Sequence, residues 1–220
     1  MFKATLHALN DLTSPDLRAV LWKSLALSVG LFLALLVGIE LVLSSLTFYA
    51  VPLLTSGLQL ITGLGLFAAF FFLMAPVTAL FAGLFQDGIA AKLERRHYIS
   101  QPPGRTLGYA TSLLTALKFA SLTLGVELVV LPLVLFAGFG AVLILCANAY
   151  IISREYFELT AARYMPMSQA VAMRRGNALR IFIAGFIPGA LAMVPFLNFV
   201  TPVFASSYFL HYFKGRASSA

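Results

Sequence analysis

Charge is what this 220-residue chain has least of: only 10% of its residues are Asp, Glu, Lys or Arg, against about 25% in ordinary soluble domains. A water-soluble fold needs polar residues at helical or strand spacing throughout, and the long charge-free stretches here exclude one. A single cysteine, Cys146, excludes an intrachain disulfide and a cysteine metal cluster. Histidine is nearly as scarce. His7, His97 and His211 lie far apart, lack any metal-ligand spacing, and are joined by no glycine-rich phosphate loop. The expectation is therefore no catalytic constellation, no metal site and no cofactor, and a protein that is not an enzyme.

What is present is apolar: 60% hydrophobic residues and a mean hydropathy of +0.93. The charges that exist fall into four islands. Lys3, Asp11, Asp16, Arg18 and Lys23 form the first, and Asp87, Lys92, Glu94, Arg95, Arg96 and Arg105 the second. Arg154, Glu155, Glu158, Arg163, Arg174, Arg175 and Arg180 form the third, and Lys214 with Arg216 the fourth. Only Glu40, Lys118 and Glu127 stand outside them. The net charge of +7 sits on the flanks of apolar segments, as the positive-inside bias of membrane proteins requires. No recognised binding motif accompanies it, so nucleic acid is not an expected partner.

The pattern predicts an all-α integral membrane protein, a single domain over residues 1–220. Residues 1–23 read as an N-terminal surface segment. The run from Ser24 to Phe48 is too long for a signal peptide and reads as a retained membrane helix. With all islands on one side, each apolar interval must enter the bilayer and return. Residues 24–100 then form a long hairpin of two full transmembrane helices of about 20 residues each. Its uncharged turn falls at Ser44 to Leu58, and its second helix continues into water, with Asp87 and Glu94 on one face. Gln101-Pro-Pro-Gly104 breaks the chain.

The apolar intervals from Phe119 to Ser153 and from Ile181 to Phe213 are too short for two full spans and a turn. They are also broken by Pro132, Gly138 and Gly140, and by Pro188, Gly189, Pro195 and Pro202. Both read as partially inserted helical hairpins, within residues 106–165 and 181–213. Between them, residues 166–180 form an amphipathic surface helix that offers Arg174 and Arg175 to the phosphates of anionic lipids. Residues 214–220 are a tail. The competing topology makes each short interval a single crossing, which leaves one basic cluster outside.

Few polar groups lie within the apolar intervals. Glu40, deep in the first span, is costly to charge there. It belongs either on a polar pathway or, protonated, in a hydrogen bond to a neighbouring helix. Glu127 falls near a hairpin tip in this topology, and Lys118 reads as a side chain snorkelling to the interface. At Thr13-Ser-Pro-Asp-Leu-Arg18 a helix starts: Ser14 can cap it and Pro15 suits its first turn. The unpaired N–H groups of that turn and Arg18 form either an anion seat or an ordinary cap facing water.

Three stretches, Pro76 to Glu94, Ser153 to Pro166 and Val194 to Ala205, resemble the CysZ-type sulfate permeases and the wider etoposide-induced membrane protein family. The likeness rests on Asp87 and Glu94, on Tyr156-Phe-Glu-Leu159, and on Pro195, Asn198 and Pro202, and it runs from about Leu12 to Phe213. It implies two full-length helices plus two partial hairpins, a homo-oligomer, and passive sulfate uptake for cysteine synthesis in the bacterial inner membrane. It also implies an anion site at the start of the first membrane helix, where the permeases read approximately Pro-Gly-Leu-Arg-Arg. Pro15, Leu17 and Arg18 match, whereas Asp16 replaces the glycine and Ala19 the second arginine. Leu17 and Arg18 are thus the expected anion-binding residues, with Glu40, Glu127 and Asn198 along the pathway. A non-transporting membrane scaffold of the same family is the alternative, and a lipid-binding protein a further one.

Overall fold

The computed structural model describes residues 1–46, 85–137, 140–198 and 200–217. The side chains of Asp16, Glu40 and Glu127, among others, lie outside the description. All regular structure among the described residues is helical.

Helix α1 (Phe2–Leu12) is amphipathic, with Ala4, Ala8 and Asp11 buried along one face. It stops at Thr13, whose N–H returns to the Asn10 carbonyl (3.2 Å), while the Ser14 N–H returns to that of Asp11 (2.9 Å). Pro15 then opens α2 (Pro15–Leu46, 32 residues), where its missing N–H costs nothing. The Ser14 carbonyl accepts from Arg18 N–H at 3.0 Å, and its hydroxyl donates back to the Asp11 carbonyl at 2.6 Å. Ser14 therefore holds the N-cap position by its backbone while tying α2 to the end of α1.

Residues 85–97 form α3, which buries Gln86, Ile89, Ala90, Leu93 and Glu94. The chain breaks where Gln101-Pro-Pro-Gly104 predicts. Gly108 then turns into α4 (Tyr109–Ala137) at φ +75°, a conformation that favours glycine. The remaining helices are α5 (Gly140–Ala162), α6 (Met167–Gly176), α7 (Ala178–Ala192), α8 (Pro195–Asn198) and α9 (Thr201–Ala217).

Helix α5 is the hub, packed against α4, α6, α7 and α9, while α1 lies on α9. Its residues from Ile151 to Ala162, except Arg154, are buried. The α5–α7 crossing is tight because α7 presents two glycines one turn apart. A Cβ on Gly185 would overlap the Ala149 carbonyl oxygen and lie 2.8 Å from Ser153 Cβ, and one on Gly189 would lie 3.0 Å from Ala149 N. Small residues at such spacing let two backbones approach closely.

One core gathers Ala4 and Ala8 of α1, Tyr156 and Phe157 of α5, and Phe204, Tyr208 and Phe209 of α9. A second joins Leu17 and Val20 of α2 to Ile89 and Leu93 of α3 and to Val203 and Leu210 of α9. The helix start read at Ser14 and Pro15 is found there, and α2 runs on through Ser24 without a break. One boundary differs from the sequence reading. The surface helix ends at Gly176, because Asn177 closes its last turn through Nδ2 to Met173 O (3.0 Å) and N–H to Arg174 O (3.1 Å). Residues 178–180 instead open α7.

Among the described residues, no helix is long and apolar enough to cross a membrane. The turn expected over Ser44 to Leu58 and the second long span lie largely outside those residues, as do many side chains of α2.

Candidate functional site

The three histidines do not stay apart. The end of α1, the end of α3 and the last turns of α9 converge on Asp11, whose carboxylate is fully buried. Asp11 Oδ1 accepts from His97 Nε2 at 2.7 Å. Its Oδ2 accepts from Ser207 Oγ at 2.7 Å and from His211 Nε2 at 2.8 Å. His7 completes the group, its ring centroid 5.1 Å from that of His211 and 5.8 Å from that of His97. On its far side, His211 Nδ1 meets the Tyr98 hydroxyl at 2.8 Å. The expectation of unrelated histidines is corrected here: spacing along the chain cannot report a contact made across 200 residues between Asp11 and His211.

Burial alone would push the Asp11 carboxyl up. The hydrogen bonds from His211, Ser207 and His97, together with the attraction of His211, outweigh it and bring the carboxyl down to about 2. Since an ionised carboxylate only accepts hydrogen bonds, both imidazoles direct Nε2–H at it. Burial first, and the Asp11 charge second, raise the Tyr98 phenol.

A second polar cluster stands behind the first, at the junction of α3 and α5. Arg163, 1% exposed, reaches Glu94 through Nη2 at 3.0 Å and Asp87 through Nη1 at 2.6 Å. Tyr164 OH also donates to Glu94. The break at Gln101–Gly104 folds over this pair. Gly104 N–H donates to Glu94 Oε2 (3.2 Å), Arg105 N–H to the Arg163 carbonyl (2.7 Å), and Leu107 N–H to Asp87 Oδ2 (2.8 Å). Burial works against the Arg163 charge, but the Glu94 charge and the Asp87 hydrogen bond and charge prevail, so its guanidinium is held more firmly protonated. Lys214 stands over the Tyr164 ring, 4.2 Å from its centroid. Burial lowers its ammonium and the Arg163 charge adds to that, against the pull of Glu94. A cavity of about 400 Å³ opens beside the cluster, bordered by Glu94, Arg95, Tyr98, Gln101, Gly104 and Arg163.

The residues expected from sequence are scattered. Leu17 is 1% exposed and anchors the first turn of α2 in the second core, while Arg18, next along, is exposed. Asn198 is half-buried at the end of α8, its N–H bonded to the Val194 carbonyl at 2.9 Å. Glu40 falls on α2 and Glu127 on α4, with side chains outside the described residues. Arg175 is exposed, but Arg174 is not free. Its Nε pairs with Glu158 Oε1 at 2.5 Å, so the glutamate of Tyr156-Phe-Glu-Leu159 holds α6 to α5.

Sequence reasoning missed Arg163 and Asp11 as organising residues. The seven-residue spacing of Asp87 and Glu94 was the available signal for the first, since two carboxylates on one helix face need a shared cation when buried. Nothing comparable marked Asp11.

Compared with known families, the chain matches Sulfate transporter CysZ/Etoposide-induced protein 2.4 over residues 4–202. It belongs to that family. No individual curated protein matches it.

Proposed function

We propose that this member of the CysZ/etoposide-induced protein 2.4 family is a multi-pass permease or channel of the bacterial inner membrane. It moves sulfate, or a similar small inorganic anion, down its gradient and so feeds sulfur assimilation. The observation that carries the reading is the start of α2. Pro15 occupies the first turn, Leu17 pins that turn in the core, and Arg18 is exposed beside it. A helix N-terminus offers N–H groups without intrahelical acceptors and the positive end of the dipole. Held rigidly and flanked by a guanidinium, these groups suit an oxyanion at the membrane surface.

The membrane topology belongs to the same proposal. Residues 24–100 supply two full spans, and the α4–α5 pair and the α7–α9 segment dip in and return, with Glu127 and Asn198 towards the pathway. Glu40 serves the same route or a contact between subunits of a homo-oligomer. Arg175 and neighbouring cations meet anionic headgroups. Asp16 and Ala19, where the permeases carry glycine and a second arginine, favour the second reading, a non-transporting scaffold.

The test is radiolabelled sulfate entry into proteoliposomes of phosphatidylethanolamine and phosphatidylglycerol. Saturable entry is expected, reduced about tenfold or more in Arg18→Ala, as removal of a charge-assisted contact predicts. Absence of flux for sulfate and for every other small anion would remove the transporter reading in favour of the scaffold.

A further inference from the structure

We propose that Asp11, His97 and His211, with His7 as a fourth ligand, form a binding site for a divalent late transition-metal ion, zinc above all, which clasps α1, α3 and α9 together. The ligand atoms of Asp11, His97 and His211 all lie within 4.8 Å of one another. Around a tetrahedral zinc with bonds of about 2.0 Å, neighbouring ligand atoms stand about 3.3 Å apart. His97 Nε2 is now 2.7 Å from Oδ1 and His211 Nε2 2.8 Å from Oδ2 of the carboxylate, so each nitrogen–oxygen pair opens by about half an ångström when the ion enters between them. Metal entry displaces the two Nε2 protons that the carboxylate now accepts: each ring ligates as a neutral imidazole, its proton re-bound at Nδ1 if the ring began neutral and released to solvent if it began as imidazolium.

The surroundings are those of a ligand set. A metal-bound histidine characteristically gives its second ring nitrogen to a fixed partner. His211 Nδ1 already faces the Tyr98 hydroxyl, and Ser207 Oγ fixes Asp11 Oδ2. His211 and Asp11 are buried, whereas the His97 side chain is 22% exposed and His7 lies at the surface. The site therefore has a closed floor and an open rim through which an ion can enter. Imidazole nitrogens with one carboxylate, and no thiolate, select zinc, cobalt or nickel over magnesium or calcium. The clasp joins segments that local sequence does not hold together. It sits at the end of α1, and the Ser14 hydroxyl bonded to the Asp11 carbonyl leads directly into α2.

The experiment uses the full chain in detergent, stripped with chelator and dialysed, and titrated with Co²⁺ and then Zn²⁺ alone. One Co²⁺ per chain is expected, with the visible ligand-field bands of a nitrogen- and oxygen-ligated ion, and displacement by Zn²⁺ should bleach them. His97→Gln, at the partly exposed rim, should fold and weaken Zn²⁺ binding about 100-fold, and His7→Gln about tenfold. Circular dichroism and monodisperse elution verify that each variant is folded. Sub-stoichiometric Co²⁺ without visible bands overturns the site, and so does Zn²⁺ affinity unchanged in folded His97→Gln. Neither readout involves anion flux, so the metal site stands or falls apart from transport.

Discussion

Arg163 and Glu94 form a bidentate pair in the interior: Nη2 lies 3.0 Å from Oε2, and Nε 3.3 Å from Oε1, with both side chains at most 5% exposed. The arginine directly follows α5 and the glutamate belongs to α3, so the pair joins α3 to the hub helix. Removing one partner of a buried pair strands the other. Arg163→Ala leaves Glu94 and Asp87 facing each other without their shared cation, and a loss of about 3–5 kcal/mol follows. For a chain of this size that is a fall in melting temperature of about 10 °C. Differential scanning fluorimetry in detergent measures it, and a melting temperature within 2 °C (roughly 1 kcal/mol or less) of wild type would show that the pair is not stabilising.

Gly104 gives an independent probe of the same cluster. A Cβ there would sit 2.9 Å from Arg163 Cβ, Arg163 Nε and Glu94 Oε1 at once. Gly104→Ala must displace the pair or lift the Gln101–Gly104 segment away, at about 1–3 kcal/mol. Gly125→Ala on α4 meets no atom within 4 Å. It should leave stability unchanged or raise it by about 0.5–1 kcal/mol. Equal melting temperatures for the two variants would contradict the packing described.

The α5–α7 crossing makes a sharper demand. Gly185 lies against the Ala149 carbonyl oxygen and Ser153 Cβ, backbone and a short side chain that cannot swing aside. Gly185→Ala therefore forces the helices apart and is expected to cost more than Gly104→Ala, whose neighbours include the movable ends of an arginine and a glutamate. Gly185→Leu should prevent recovery of monodisperse protein. If Gly185→Ala were as stable as wild type, the close approach would be wrong.

These residues also show what could be read beforehand. The Pro15 helix start, the break at Gln101–Gly104 and the shared face of Asp87 and Glu94 follow from local chemistry, and each is found in place. The partner of the two carboxylates was hidden, because Arg163 stands 69 residues beyond Glu94, and spacing carries no information across that distance. The histidine cluster was hidden for the same reason. Arg174 misled for a different one: its position on a basic helix suggested lipid, but Glu158, one turn past Arg154 on α5, claims it. Burial turned an apparent surface cation into a structural one.

Asp16 gives the most direct test of the proposed anion seat. It stands second in α2, where the resemblance to the permeases implies glycine, and in the proposed seat a carboxylate at that position would compete with an incoming oxyanion for the first-turn N–H groups. A carboxylate about 5 Å from a dianion in water opposes binding by about 1–2 kcal/mol, a factor of about 10 in affinity. Asp16→Gly should tighten sulfate binding by about that factor and lower the concentration at which flux half-saturates. Asp16→Gly with Ala19→Arg should tighten it further, while Arg18→Ala in the same background cancels the gain. Because screening weakens exposed charges, the benefit should shrink as ionic strength rises from 10 to 300 mM, where the Debye length falls from about 30 Å to below 8 Å. Isothermal titration with sodium sulfate measures all of this. Unchanged affinity in both gain-of-charge variants would mean that anions do not meet the start of α2, and the scaffold reading would then take precedence.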